Sequence, residues 1–184
     1  RIVLLSSIQG AAIVDFRVDG VGHEFTTIQG VREDVVDISL NVKQIRLKTF
    51  TEKPQTLRLS KKGGGVVTAG DIAKNADVEV VNPEQIVAII DDAKASIDME
   101  LLVEPGIGYQ TTDDRDNSDL PAGFIAVDSL YSPVTRVRYK VESTRVGRDT
   151  DYDKLSLTID TDGSISPRDA FEQAAAILTN QYKA

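Results

Sequence analysis

The stretch Ala126–Tyr182, AVDSLYSPVTRVRYKVESTRVGRDTDYDKLSLTIDTDGSISPRDAFEQAAAILTNQY, decides how the rest of the chain is read. Val137, Tyr139 and Val141 alternate with Arg136, Arg138, Lys140 and Glu142. That period of two belongs to a half-buried strand. Leu155, Leu157 and Ile159 repeat the pattern against Ser156, Thr158 and Asp160, and the polar GRDTDYD run between the two reads as a loop. Thr161, Asp162 and Gly163 turn the chain. Ser166-Pro167-Arg168-Asp169 then starts a helix: a serine cap, a proline at the first helical position and a carboxylate near the positive end of the dipole. On that helix Phe171, Ala174, Ala175, Leu178 and Tyr182 form one apolar stripe, and Ala170, Ala174 and Ile177 form a second beside it. One reading packs the helix on its own sheet alone; the other sets one stripe on the sheet and one on a second subunit. Spacing leaves both open.

Bulk properties narrow the class. A chain of 184 residues holds one large or two small domains. Its formal charge of −8 argues against a nucleic-acid clamp, because phosphate binding needs a basic surface. Without cysteine there is no disulfide, thiol catalysis or zinc–thiolate site, which is compatible with a reducing cytoplasm. No apolar run approaches the roughly 20 residues of a membrane span, and no signal peptide is recognisable. The chain opens on Arg1 inside an apolar run, as a fragment would.

Upstream, Arg1–Ser7 is ambiguous between strand and helix end. From Gly10 the signal is β: Ala12, Val14, Phe16 and Val18 alternate with Ile13, Asp15 and Arg17, and Asp19-Gly20 predicts a hairpin into Val21, His23 and Phe25. Val35, Ile38, Val42 and Ile45 predict a helix over about 32–43. Ile45, Leu47, Leu57 and Leu59 predict a hairpin around Glu52-Lys53-Pro54, and Lys61–Gly65 reads as a mobile loop. Val78–Val81, Ile86–Ile90 and Ile97–Val103 read as strands, the last with Ile97, Met99, Leu101 and Val103 on one face. The acidic run Gln110–Asp119 reads as disordered. The fold class is therefore α+β. A small subdomain of strands and two helices, residues 1–9 plus 134–184, carries an inserted β-rich subdomain, residues 10–133.

Several blocks carry a resemblance: Leu4-Leu5-Ser6-Ser7, Asp19-Gly20-Val21 with His23-Glu24-Phe25, Gly30-Val31 with Glu33-Asp34-Val35, Val67–Ile72, Tyr131-Ser132-Pro133-Val134, and the terminal stretch quoted above. In order and over nearly the whole chain, they are similar to the N-terminal assembly domain of the bacterial RNA polymerase alpha subunit, cut short at its start. The resemblance makes Arg1–Ser7 the second half of the family's first helix. It implies a cytoplasmic, non-catalytic subunit of the nucleotidyltransferase complex that transcribes DNA. That subunit homodimerises and nucleates assembly of the beta and beta-prime subunits, with no direct nucleic-acid contact from this domain and no membrane contact. The implied dimer interface is Leu4, Leu5, Ala170, Phe171, Ala174, Ala175, Leu178 and Tyr182. The implied docking residues for the large subunits are Arg1, His23, Glu24, Phe25, Lys43, Asp128, Ser129, Tyr131, Ser132, Pro133, Arg145 and Arg148. Ile2 stands where the family usually has a second arginine, and Pro105 and Ile107 stand where basic residues are common.

The residues themselves offer little chemistry. His23 is the only histidine, so the usual multi-histidine metal site is absent. Gly63-Gly64-Gly65 lacks the Lys-Ser/Thr of a phosphate loop. Asp160, Asp162, Gly163, Ile165 and Asp169 fall at positions three, five, six, eight and twelve of a calcium loop, but position one is Thr158 and position twelve is not glutamate. No catalytic residue, cofactor or metal is assigned. The alternative is a free-standing β-rich binding module, calcium-dependent through that loop.

Overall fold

The computed structural model describes residues 1–184. In chain order the elements are α1 (Ile2–Ser6), β1 (Gln9–Val18), α2 (Val35–Lys43), β2 (Leu47–Thr49), β3 (Gln55–Lys62), β4 (Gly65–Thr68), β5 (Val78–Val80) and β6 (Ile86–Ile90). They continue with β7 (Ser96–Ile107), β8 (Tyr109–Gln110), β9 (Ile125–Ala126), β10 (Ser129–Leu130), β11 (Val134–Val146), β12 (Asp149–Thr161) and α3 (Pro167–Lys183). The fold is α+β and mostly strand.

A six-stranded antiparallel sheet runs β3-β7-β1-β2-β5, with β9 added to β1. Its core face carries Ile97, Met99, Leu101 and Val103 of β7, all buried as the alternation predicts. Helix α2 and the β4–β6 pair cover that face. Asp34 caps α2 by accepting from the Asp37 N–H at 2.8 Å, so the helix begins at Val35 rather than 32. Side chains on the helix and just before it also seal the β6 edge: Asn41 Nδ2 donates to the Val87 carbonyl, and Glu33 Oε2 accepts from the Ile89 N–H. An edge strand left bare would invite pairing with another chain; here side chains occupy it.

The β1 alternation breaks at a bulge. Pairing to β7 shifts between Ile13 and Asp15, so Ile13, Phe16 and Val18 share the main core while Ala12 and Val14 pack on the other face with Tyr131 and Leu102. A bulge residue has no opposite number, and everything beyond it changes face. Two glycines let Tyr131 lie flat on that second face. A Cβ at Gly106 would stand 2.8 Å from the Tyr131 ring, and one at Gly10 would overlap the Tyr131 carbonyl oxygen.

Other expectations are corrected. Asp19-Gly20 does not start a hairpin, because residues 19–34 form no strand and Val18 ends β1. Nor do β2 and β3 form one: β2 pairs β1 and β5, while β3 pairs β7. Lys61–Gly65 is a tight corner between two sheets, not a loose loop, with Lys61 Nζ holding the Val66 carbonyl at 2.8 Å. The run over 147–153 is not a loop either. Asp149 already begins β12, and only Gly147-Arg148 turns the chain. Finally, 110–119 is tied down. Arg115 reaches under the sheet and its Nη2 donates to the carbonyls of Val14 (2.9 Å) and Val127 (2.6 Å). One donor thus plugs the bulge and anchors the loop.

A second, smaller cluster joins Leu4 and Ile8 to Val134, Val137, Ala170 and Ala174, with Leu157, Ile159 and Ile177 at its edge. It shares no residue with the main core. Strands β11 and β12, each 13 residues and so about 43 Å long at roughly 3.3 Å per residue, form a separate two-stranded ribbon whose outer part runs well past it.

Candidate protein-assembly surfaces

Helix α3 separates its residues onto three faces. Its start is as predicted: Ser166 Oγ accepts from the Asp169 N–H at 3.1 Å, and Pro167 occupies the first turn. Ala170, Ala174 and the partly buried Ile177 face the chain's own hairpin and α1, so the second stripe seats the helix. Of the first stripe only the shared Ala174 is buried; Phe171 (48%), Leu178 (39%) and Tyr182 (88%) are left exposed. Ala175 lies exposed between them. Small residues at 170 and 174 allow close seating, and the large side chains one face round find nothing to cover them.

The hairpin poses the same problem. Val137 is buried, but Tyr139 and Leu155 further out are 59% and 60% exposed, and Val141 beside them is also exposed. Cross-strand pairs Tyr139↔Leu157 and Val141↔Leu155 therefore form an apolar ladder on one side of a two-stranded ribbon, which is marginal in water without a cover. At its tip Arg145 Nε donates to the Gly147 carbonyl at 2.7 Å and Arg148 is exposed.

The remaining sequence-predicted residues divide by burial. Leu4, Ala170 and Ala174 are inside the smaller cluster, so their side chains already serve the chain's own packing, while Leu5 is half-buried and Arg1 exposed. Ser129, Tyr131, Ser132 and Pro133 are also inside. Ser129 Oγ donates to the carbonyls of Ile13 (3.2 Å) and Val127 (3.1 Å), Ser132 Oγ to that of Val134 (3.1 Å). These four frame the crossing between clusters and offer no side chain to a partner. Burial raises the Tyr131 phenol above its ordinary value.

What reaches the surface there is a polar trio. Lys43 Nζ at the end of α2 donates to the Tyr109 hydroxyl at 3.1 Å, which donates to Asp128 Oδ2 at 3.2 Å. The Thr112 N–H, at 2.8 Å from Asp128 Oδ1, is the main reason this carboxyl lies below the usual range. The trio joins residues 85 positions apart and holds a cation and an anion in fixed places. Tyr109 is a member that sequence reading missed; only its pairing beside β10 brings it there. His23, Glu24 and Phe25 form an exposed turn in which His23 Nδ1 accepts from the Phe25 N–H at 3.3 Å. The calcium-like loop is an ordinary turn: Asp162 Oδ1 accepts from the N–H and the hydroxyl of Ser164.

Comparison with known proteins matches the family model described as "RNA polymerase Rpb3/RpoA insert domain" to residues 14–132. A DNA-directed RNA polymerase subunit alpha from Moorella thermoacetica is 50% identical over 183 residues, which is 100% of this chain. The chain belongs to the bacterial RNA polymerase alpha subunit family. It spans 58% of the length of that relative. The match to the insert-domain model begins within β1, covers the rest of the six-stranded sheet and its covering elements, and stops just short of the hairpin. The family reading displaces the free-standing calcium module. No helix is long and apolar enough to cross a membrane.

Proposed function

We propose that this chain is the assembly scaffold of a bacterial RNA polymerase. Two copies pair through α1 and α3, and each then offers an inserted β-rich subdomain, residues 10–133, to one of the two large subunits, beta and beta-prime. The dimerising subdomain is residues 1–9 with 134–184. Catalysis belongs to the large subunits and takes place in the bacterial cytoplasm. The observation that carries the reading is the division of α3: one stripe is used within the chain, while Phe171, Leu178 and Tyr182 are left open along a single face. A twofold axis through that face would bury each of them twice, in a self-complementary patch. Lys43 and Asp128, held by Tyr109, supply the kind of fixed charge pair that orients a partner, and Arg1, His23–Phe25 and Arg145–Arg148 are further contacts at the surface.

Leu178→Glu tests the dimer. Leu178 is partly exposed, so the variant folds, and each dimer loses two leucines. At about 1.5–3 kcal/mol for each apolar side chain, dimerisation weakens on the order of 10² to 10⁴-fold. Sedimentation velocity is expected to show a folded monomer; an undiminished dimer would overturn the interface. Co-expression with the beta subunit from the same source tests docking, with co-elution at two copies of this chain per beta expected.

A further inference from the structure

We infer that the groove between the two clusters is a strand-addition site for a basic, extended segment of a partner protein. The groove has a volume of about 910 Å³, at the upper end of the roughly 300–1,000 Å³ of ligand pockets. Its floor is a place where the main sheet comes apart. Strands β1 and β2 share one ladder pair, Ala11↔Leu47, and then diverge, although Gln9 and Thr49 are next in register. Backbone direction follows from the neighbouring bonds. Val81 N–H donates to the Arg46 carbonyl and Phe50 N–H to that of Asp77, so residues 46, 48 and 50 turn their backbone groups toward β5. By antiparallel alternation Leu47 and Thr49 turn theirs toward β1, and Ala11 and Gln9 turn theirs toward β2. The N–H and C=O groups of Gln9 and Thr49 therefore face each other across an open gap lined by both. Unpaired backbone groups at two facing strand ends, one residue on each, offer an extended chain a place to join the sheet.

Side chains around the gap specify which chain. Glu52 on one wall and Asp169 and Glu172 of α3 on the other outnumber Lys48, the one base in the lining. Glu52 and Glu172 have only solvent-exposed partners, Gln9 Nε2 at 3.3 Å and Arg168 Nε at 3.2 Å, and such exposed contacts are easily exchanged. Phe50 stands 61% exposed on the rim beneath Lys48, whose ammonium lies 5.5 Å from the ring centre. An extended segment alternating lysine or arginine with apolar residues meets all three features. Its backbone takes the open edges, its cations meet the carboxylates, and an apolar residue covers Phe50. The face is separate from the Phe171–Tyr182 stripe, so the site does not depend on dimerisation.

The test uses the whole chain and a labelled decapeptide alternating lysine with valine. Three peptides are compared by fluorescence anisotropy: this one, its glutamate–valine counterpart, and a version with proline at two central positions, which removes ladder donors. Backbone NMR shifts report where the peptide lies. Binding of the lysine peptide alone is expected, with shifts at Gln9, Thr49 and Phe50. The double variant Glu52→Gln, Glu172→Gln should weaken it about tenfold, and raising salt to about 0.3 M should weaken it further. Equal binding of the acidic or proline peptide, no binding at all, or shifts confined to the Phe171–Tyr182 face would each overturn the proposal.

Discussion

Replacing Arg115 with alanine removes the side chain that ties the 110–119 segment to the carbonyls of Val14 and Val127. Arg115 Nη2 donates to two carbonyls, and hydrogen bonds from a charged donor are worth roughly 1.5–3 kcal/mol each. Both carbonyls keep another donor, however. The Val14 oxygen still receives the Val127 N–H at 2.9 Å, and the Val127 oxygen still receives the Ser129 hydroxyl at 3.1 Å. That places the hydrogen-bond loss at the low end of the range. The larger effect falls on Asp15, a carboxylate only 6% exposed, whose Oδ1 has no hydrogen-bond partner. Burial already raises its pKa, and the Arg115 charge pulls it back down. Without that charge an ionised Asp15 is less well compensated for its burial, which Asp15 escapes by taking up a proton. A loss of about 2–3 kcal/mol near neutrality results, or about 5–10 °C in Tm for a chain of this size.

The sign of the pH dependence follows from Asp15. A carboxyl whose folded pKa lies above its unfolded value, 3.8, favours the folded state when protonated, and that contribution is lost as pH rises through the folded pKa. The Arg115→Ala deficit should therefore shrink as pH falls toward 3.8 and level off at its full value once pH exceeds the folded pKa of Asp15 in the variant. Thermal unfolding at several pH values measures it. Hydrogen exchange should report faster opening at 111–119 and at Val127, with Leu101 and Val103 in the sheet unchanged. A variant that loses less than about 0.5 kcal/mol, or whose deficit is flat with pH, would refute the role assigned to Arg115 and Asp15.

Two further outcomes follow from the same face of the sheet. Gly106→Ala drives a methyl group to within 2.8 Å of the Tyr131 ring and should cost about 1–3 kcal/mol in chemical denaturation, whereas Gly20→Ala meets nothing within 4 Å and tests only the positive φ there. Asp15→Asn removes the buried charge and should flatten the pH dependence of wild-type stability while raising stability above neutrality; a fall in Tm at pH 8 would show that the carboxylate is needed ionised.

Much of the fold was legible from local pattern because its elements obey simple periods. Ile97, Met99, Leu101 and Val103 alternate through a strand that carries no extra residue of its own, the bulge opposite Val103 being on β1, and all four are buried. Ser166 and Pro167 start α3 where they should, because caps and proline act on the backbone within a turn. The acidic 110–119 run misleads for the opposite reason. Its composition is that of a solvated loop, and one arginine, bonded through Nη2 to carbonyls 101 and 12 residues away, overrides it.

Residue types and their order alone therefore determined the α+β class, the family and the existence of two apolar stripes on α3. Tertiary structure alone decided which stripe is used inside the chain, because Ala170 and Ala174 become a seat only when Leu4, Ile8 and Val137 arrive from distant positions. It also decided the face change at Val14, since a bulge is a property of two strands in register and no single strand encodes it. The Lys43–Tyr109–Asp128 trio and the splayed strands at Gln9 and Thr49 arise in the same way. Periodicity is written every two or four residues, whereas pairing joins segments through space, and the surfaces available to partners are what pairing leaves uncovered.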